Sequence, residues 1–284
     1  MKVSIITVCK NAKHFLPQTM NSVLSQTYPD IEYIVIDGAS TDGTLDLLQE
    51  YDRAYAASRE RGCTTHKFRW VSEPDSGIYE AMNKGIDMSC GTYLLFLNAG
   101  DCLHDESVLA DVFSRDHQED ILYGDVVWID REKGQQKEHS FADCVLNEEF
   151  FFHASLAHPS TFIKKDLFVR YGKYDESFSI VSDWEFWIRA ILIGRCSVTY
   201  LARVVSDFDV HGISSESASH GKHKRERLRV LRTYYAGPVV WSYAVKSWSE
   251  NSHSRIIACI GRMIAERLLD KCDRSYRLKR RFRT

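Results

Sequence analysis

Four short apolar runs recur in the first hundred residues, Val3–Val8, Ile31–Ile36, Phe68–Val71 and Tyr93–Leu97, and each interval between them carries a helical pattern. Leu16, Met20, Val23 and Leu24 sit at helical spacing around Pro17, near a first turn, where a missing N–H costs little. Ser40-Thr41-Asp42-Gly43 supplies turn and capping chemistry before Leu45, Leu48 and Tyr51, and Ile78, Met82 and Ile86 share one face of a third helix. Strand and helix alternating in this way predict an α/β fold with a mainly parallel central sheet flanked by helices. Runs without polar interruption are strands covered on both faces, and such sheets gather their ligands at the carboxyl ends of the strands. The fourth run stops at Asn98-Ala99-Gly100-Asp101, which delivers one carboxylate to that edge, where a metal-bound nucleotide can lie.

The first glycine of the chain is Gly38, so the first strand-to-helix turn holds no glycine-rich phosphate cradle. Neither the dinucleotide fingerprint nor a P-loop occurs anywhere, and a bound nucleotide must be held through its base, ribose and metal-bridged phosphates. Thr7, Asn11, Asp37 and Asp101 are the polar groups at strand ends available for this. Asp37 fits either an acceptor for base N–H or ribose hydroxyl or a plain turn aspartate before Gly38. Asp101 fits either a cap for the following loop or a ligand of Mn2+ or Mg2+, ions that take oxygen ligands and are often held by one or two protein carboxylates.

Beyond Asp101 the pattern loosens. Ile121–Ile129 reads as a strand, Phe141–Leu156 as irregular or helical, Thr161–Ile163 as a short strand and Trp184–Ile193 as a helix. Basic helices are expected after Ser206, with a composition boundary near residue 215. A net charge of −2 hides an asymmetry: residues 201–284 carry 18 Lys/Arg against 8 Asp/Glu, and the rest of the chain 19 against 31. Eight scattered cysteines show no Cys-x-x-Cys pair and no zinc spacing, which predicts reduced thiols in a cytoplasmic protein. The apolar amino-terminal run lacks the features of a signal peptide. The 13 uncharged residues between Arg232 and Lys246 fall short of the roughly 18 a spanning helix needs.

Five blocks, Ser4–Asn11, Ile36–Thr44, Ser72–Tyr79, Ala81–Gly85 and Phe96–Asp101, resemble in content and order the family 2 glycosyltransferases, and in particular their capsule, O-antigen and colanic-acid members. His158–Phe162 and Ser182–Arg189 extend the likeness over about two thirds of the chain. The resemblance implies a GT-A fold over residues 1–215, with a nucleotide-sugar-binding half (1–101), an acceptor half (102–215) and a basic, aromatic helical extension (216–284). It places Thr7, Asn11 and Asp37 at the nucleoside, and Asp101 at the last carboxylate of the metal-binding Asp-x-Asp element. Asn98 and Gly100 stand where many relatives carry acids, leaving Asp101 alone, with Asn98 near the ribose. Asp75 and Lys84 are further candidates for donor contact, the lysine toward a diphosphate or on a solvated helix face.

By the same resemblance Asp183 is the general base, with Trp184 and Glu185 beside it on the acceptor side. Unaided, Asp183 reads equally as a first-turn acid favoured by a helix dipole. His158 is an acceptor or phosphate contact or a structural histidine, and His211 a candidate metal or diphosphate ligand. The expected activity is metal-dependent, inverting transfer from a nucleotide-diphosphate sugar, first a UDP-sugar, to a glycan or lipid-linked acceptor in bacterial surface-polysaccharide assembly. A non-catalytic nucleotide- or carbohydrate-binding relative is the competing reading. The extension, with Tyr234, Tyr235, Trp241, Tyr243 and Trp248 between the Lys222–Arg232 and Arg274–Arg283 clusters, fits an anionic membrane surface or a helical cap. No nucleic-acid-binding module accompanies the charge.

Overall fold

A computed structural model describes residues 1–61, 66–211 and 220–237, together with 240, 241 and 245. The half expected to bind the donor (the donor side) is built from β1 (Val3–Cys9), α1 (Leu16–Leu24), β2 (Ile31–Asp37), α2 (Thr44–Glu60), β3 (Lys67–Ser72), α3 (Ile78–Met88) and β4 (Tyr93–Phe96). Every residue of β1, β2 and β4 is buried, including the polar Ser4, Thr7, Glu32 and Asp37 among the apolar ones. Alternate residues serve different cores. Ile6, Val8, Ile34, Ile36, Leu94 and Phe96 belong to one, and Val3, Ile5, Tyr33, Val35, Tyr93 and Leu95 to the other.

The half expected to bind the acceptor (the acceptor side) follows as β5 (Cys102–Leu103), α4 (Val108–Val112), β6 (Ile121–Asp130), β7 (Gln135–His139), α5 (Glu148–His153), a 3-10 turn (His158–Ser160), β8 (Thr161–Lys164), α6 (Asp166–Arg170), α7 (Ser182–Trp187) and β9 (Val198–Asp209), with α8 (His220–Tyr234) after it. One sheet runs in the order β3-β2-β1-β4-β8-β6-β9-β5, with β7 hanging from β6. β1 to β4 pair in parallel, whereas β8 pairs antiparallel with both β4 and β6, and β9 lies parallel to β6. The link Leu97–Asp101 joins β4 to β5, which stand at separated places in this order, and it contains a turn in which Asp101 N–H donates to the Asn98 carbonyl at 3.0 Å. The second half of the sheet therefore curls back, bringing the end of β9 against Asp101.

Three strands on the acceptor side differ from the sequence expectation. β9 continues through Ser206 to Asp209 where basic helix was expected, and β5 and β7 carry no apolar alternation of their own. The helix expected over Trp184–Ile193 starts at Ser182 and becomes a π-helix at Ile188–Ile193, closed by Gly194 N–H to Arg189 C=O at 3.0 Å. The boundary near residue 215, and Tyr243, Trp248 and Arg274–Arg283, lie outside the described residues. α8 begins the extension and docks on the acceptor side: Val230, Leu231 and Tyr235 are buried, and the Arg227 guanidinium lies 4.0 Å from the Trp184 ring centroid. No helix among the described residues is long and apolar enough to cross a membrane.

Helix α3 approaches β1 closely at Gly85, where an added Cβ would come within 2.4 Å of the Ile6 Cγ2 methyl. Ile6 is fully buried and β-branched, so it has little room to give. Gly85→Ala is expected to cost ~1–3 kcal/mol by overpacking. A chemical-denaturation midpoint equal to that of the parent would show that the helix shifts freely.

Candidate active site

The tips of β1, β2 and β3 stand in one row, Cys9 beside Asp37 and Asp37 beside Ser72. Asp37 is fully buried and its carboxylate accepts from Ser40 N–H at 3.0 Å, from the Ser40 hydroxyl and from Ser72 Oγ at 2.6 Å. These contacts brace the turn that follows β2 against the end of β3. Asn11, at φ 52°, donates its N–H to Ser40 Oγ at 2.6 Å and accepts from Thr41 N–H at 2.9 Å, fastening the first two strand-to-helix turns together. The Asp75 carboxylate folds over Gly38, where any Cβ would lie 2.5 Å from its Oδ2.

Alongside these tips opens a cleft of about 800 Å³ lined from both halves of the chain, by Asn11 and the 98–101 loop from the first and by His158, Asp183, Asp209 and His211 from the second. Helix α1 holds the loop: Gly100 N–H donates to Thr19 Oγ1 at 2.9 Å and Gln18 Nε2 to the Gly100 carbonyl at 2.9 Å. Gly100 has φ 110°, where a side chain would be strained. Asn98 Oδ1 is buried without a hydrogen-bond partner. Asp101 is 4% exposed, and burial, with the Asp209 charge adding to it, pushes its carboxyl up to about 8 against the pull of the Asp209 N–H at 3.2 Å.

Asp209 was not singled out by sequence reasoning. It reaches the site because β9 ends there, and its carboxylate meets Arg131 Nε at 3.0 Å and accepts the His211 N–H at 2.9 Å. The His211 ring turns to Asp130, at 3.0 Å, and that hydrogen bond raises its pKa. On the facing wall Asp183 lies in the first turn of α7, half-buried, and Oδ1 accepts the Tyr79 hydroxyl at 2.9 Å. Tyr79 was visible only as a member of the Ser72–Tyr79 block.

The model of the family described as "Glycosyl transferase family 2" matches residues 4–177. The chain belongs to this family. A "PGL/p-HBAD biosynthesis glycosyltransferase" of Mycobacterium bovis is 30% identical over 212 residues, 74% of this chain and 77% of the relative. S. aureus TarS 1-349 in complex with UDP-GlcNAc superposes with TM-score 0.61 at 17% identity, over 95% of this chain and 71% of that one. A mannosyltransferase from Pyrobaculum calidifontis in complex with GDP-Man and Mn2+ gives 0.58 at 15% identity, over 96% and 75%. The fold is GT-A, and the chain is a glycosyltransferase.

Several residues expected at the site of this glycosyltransferase are engaged elsewhere. Thr7 is fully buried, donating to the Leu97 carbonyl at 2.7 Å and sharing a 3.1 Å contact with the Tyr33 hydroxyl, so it ties β1 to β4 behind the cleft. Lys84 meets Glu73, Glu80 and the Pro74 carbonyl, each at 3.0 Å, and so latches the 73–75 loop to α3 instead of pointing at a diphosphate. Glu185 is buried in a pair with Arg189 at 2.9 Å and accepts the Tyr234 hydroxyl. Trp184 Nε1 donates to the Phe151 carbonyl at 2.8 Å. Neither Trp184 nor Glu185 lines the cleft, and the acceptor role expected for them is set aside. His158 does line it, but its ring stacks on Phe96 at 4.8 Å, Nε2 meets the Tyr174 hydroxyl at 2.8 Å, and burial lowers its pKa.

Proposed function

We propose that the chain transfers a sugar, with inversion, from a nucleotide-diphosphate sugar to a hydroxyl of a glycan or lipid-linked acceptor, as a step in bacterial surface-polysaccharide assembly. The observation that carries this is one cleft shared by a carboxylate positioned as a base, Asp183, and a buried carboxylate beside the nucleoside floor, Asp101. UDP-GlcNAc in the TarS complex makes a UDP-sugar the first candidate donor, and the block resemblance to capsule and O-antigen enzymes supports the pathway.

Among the described residues no group of three or more His, Cys, Asp or Glu side chains forms a metal cage. The residues nonetheless fit a cation that keeps most of its ligands as phosphate and water: Asp101 would hold it, with the unpartnered Asn98 Oδ1 adjacent in the loop, and His211, whose N–H is held by the neighbouring Asp209, lines the same cleft. The Mn2+ in the mannosyltransferase complex supports Mn2+ or Mg2+. When bound, the ion offsets charge gathering on the departing diphosphate. Asp183, fixed by Tyr79, takes the proton of the acceptor hydroxyl as that oxygen attacks the anomeric carbon, and the bond to the diphosphate breaks on the opposite face. A single displacement inverts the anomeric centre. Asp37, Asn11, Asp75 and Gly38 bound the nucleoside end. Exposed Lys222, Arg225 and Arg232 on α8 support docking of the extension on an anionic inner membrane surface.

The test is a nucleotide-sugar screen by thermal shift with manganese. A donor present at 100 times its Kd is expected to stabilise by about 2.7 kcal/mol, about 5–10 °C for a chain of this size. If no nucleotide or nucleotide sugar raises the midpoint, the proposal fails at its first step. Binding without turnover or donor hydrolysis would favour the non-catalytic relative.

A further inference from the structure

An aromatic wall on the acceptor side of the cleft has no role in the chemistry above. Trp128, near the end of β6, is 43% exposed, unusual for so large an apolar side chain. Its indole lies flat on the His139 ring of β7, with centroids 5.2 Å apart and planes 13° from parallel. Phe208 of β9 stands beside Trp128 in the ladder, and Val126 of β6 opposite His139. Strand alternation puts these side chains on one face, and all four line the cleft that contains Asp183.

We propose that Trp128, stacked on His139 and flanked by Phe208, is the platform for a saccharide ring of the acceptor. The inference rests on the transferase reading and names the chemical class of its second substrate. Three observations support a sugar. A pyranose has an apolar C–H face that suits a flat indole and a rim of hydroxyls that needs polar partners, and Asp209 and His211 follow Phe208 directly on the cleft lining. In the sheet, β4 and β8 separate Trp128 on β6 from the β1–β2–β3 tips proposed for the nucleoside. The indole is open to the cleft while its underside is backed by His139, so the platform is pre-formed and loses little freedom on binding.

The experiment is saturation-transfer NMR with methyl glycosides of glucose, galactose, mannose and N-acetylglucosamine, alongside UDP-GlcNAc and n-octyl glucoside, on the parent, Trp128→Ala and Trp128→Phe. At least one methyl glycoside is expected to receive saturation at its ring C–H protons from the parent. Its affinity should fall about 5- to 10-fold in Trp128→Ala and be largely kept in Trp128→Phe, while the UDP-GlcNAc signals persist in all three. Equal glycoside binding by the parent and Trp128→Ala, or no glycoside binding to the parent, overturns the platform. Saturation confined to the octyl chain also overturns it, assigning the wall to the lipid part of an acceptor. Loss of UDP-GlcNAc signals in the parent with glycoside binding intact would instead strike the donor reading. Matching thermal midpoints of the three proteins establish that each is folded.

Discussion

Asp183→Asn is expected to lower sugar transfer by ~10²–10⁴-fold while leaving donor affinity within about two-fold, since a positioned general base contributes on that scale. Asparagine keeps the shape and can still meet the Tyr79 hydroxyl that holds Oδ1 at 2.9 Å, so the cleft should persist. What disappears is the oxygen able to take a proton from the attacking hydroxyl. Steady-state rates at saturating donor, paired with calorimetric donor binding, separate the two effects. Transfer within a few-fold of the parent would remove Asp183 from the base role, and loss of donor binding would show that it shapes the donor pocket instead.

The second large effect belongs to Asp101. Its carboxyl binds a proton far more readily in the folded chain, about 8, than at the ordinary carboxylate value of 3.8. Between those values the folded state holds more protons than the unfolded one. Without a cation, stability is therefore greatest below pH 4 as far as this group is concerned, and is lost as pH rises toward 8, by up to about 1.4 kcal/mol for each pH unit. Asp101→Asn should remove that slope and, with it, any manganese-dependent gain in nucleotide-sugar affinity. Urea unfolding in chelator at pH 5 and pH 8 supplies the comparison. Parallel pH profiles for the two proteins would mean that Asp101 is ionised at no cost in the fold, and unchanged manganese dependence would take the ion from this residue.

The strands of the donor half were legible because β1, β2 and β4 are buried on both faces, leaving short, mainly apolar runs interrupted only by Ser4, Thr7 and Glu32 before the tip at Asp37. The acceptor half was less so. β7 is Gln-Gln-Lys-Glu-His, a sequence with no strand preference, extended only because β6 offers it a ladder. Candidate site residues divided for a similar reason. Position at a strand tip or helix start can be inferred from pattern, and Asp101 and Asp183 both face the cleft. Which partners a polar side chain finds depends on elements distant in sequence: Lys84 is taken by Glu73 and Glu80, Glu185 by Arg189 and Tyr234, and Thr7 by Leu97 and Tyr33. Asp209 carried no signal at all, because only the curl of the sheet brings β9 to the 98–101 loop.

Among the described residues β7 pairs in the sheet with β6 alone, and four of its five residues are exposed. The four exposed residues of such a strand can accept substitutions without disturbing either core, which β7 meets through His139 against Phe141. Since His139 backs the indole of Trp128, such changes would act on the wall facing the acceptor and leave the donor end intact. Divergence among chains of this architecture can then proceed by keeping the activated sugar and changing its destination.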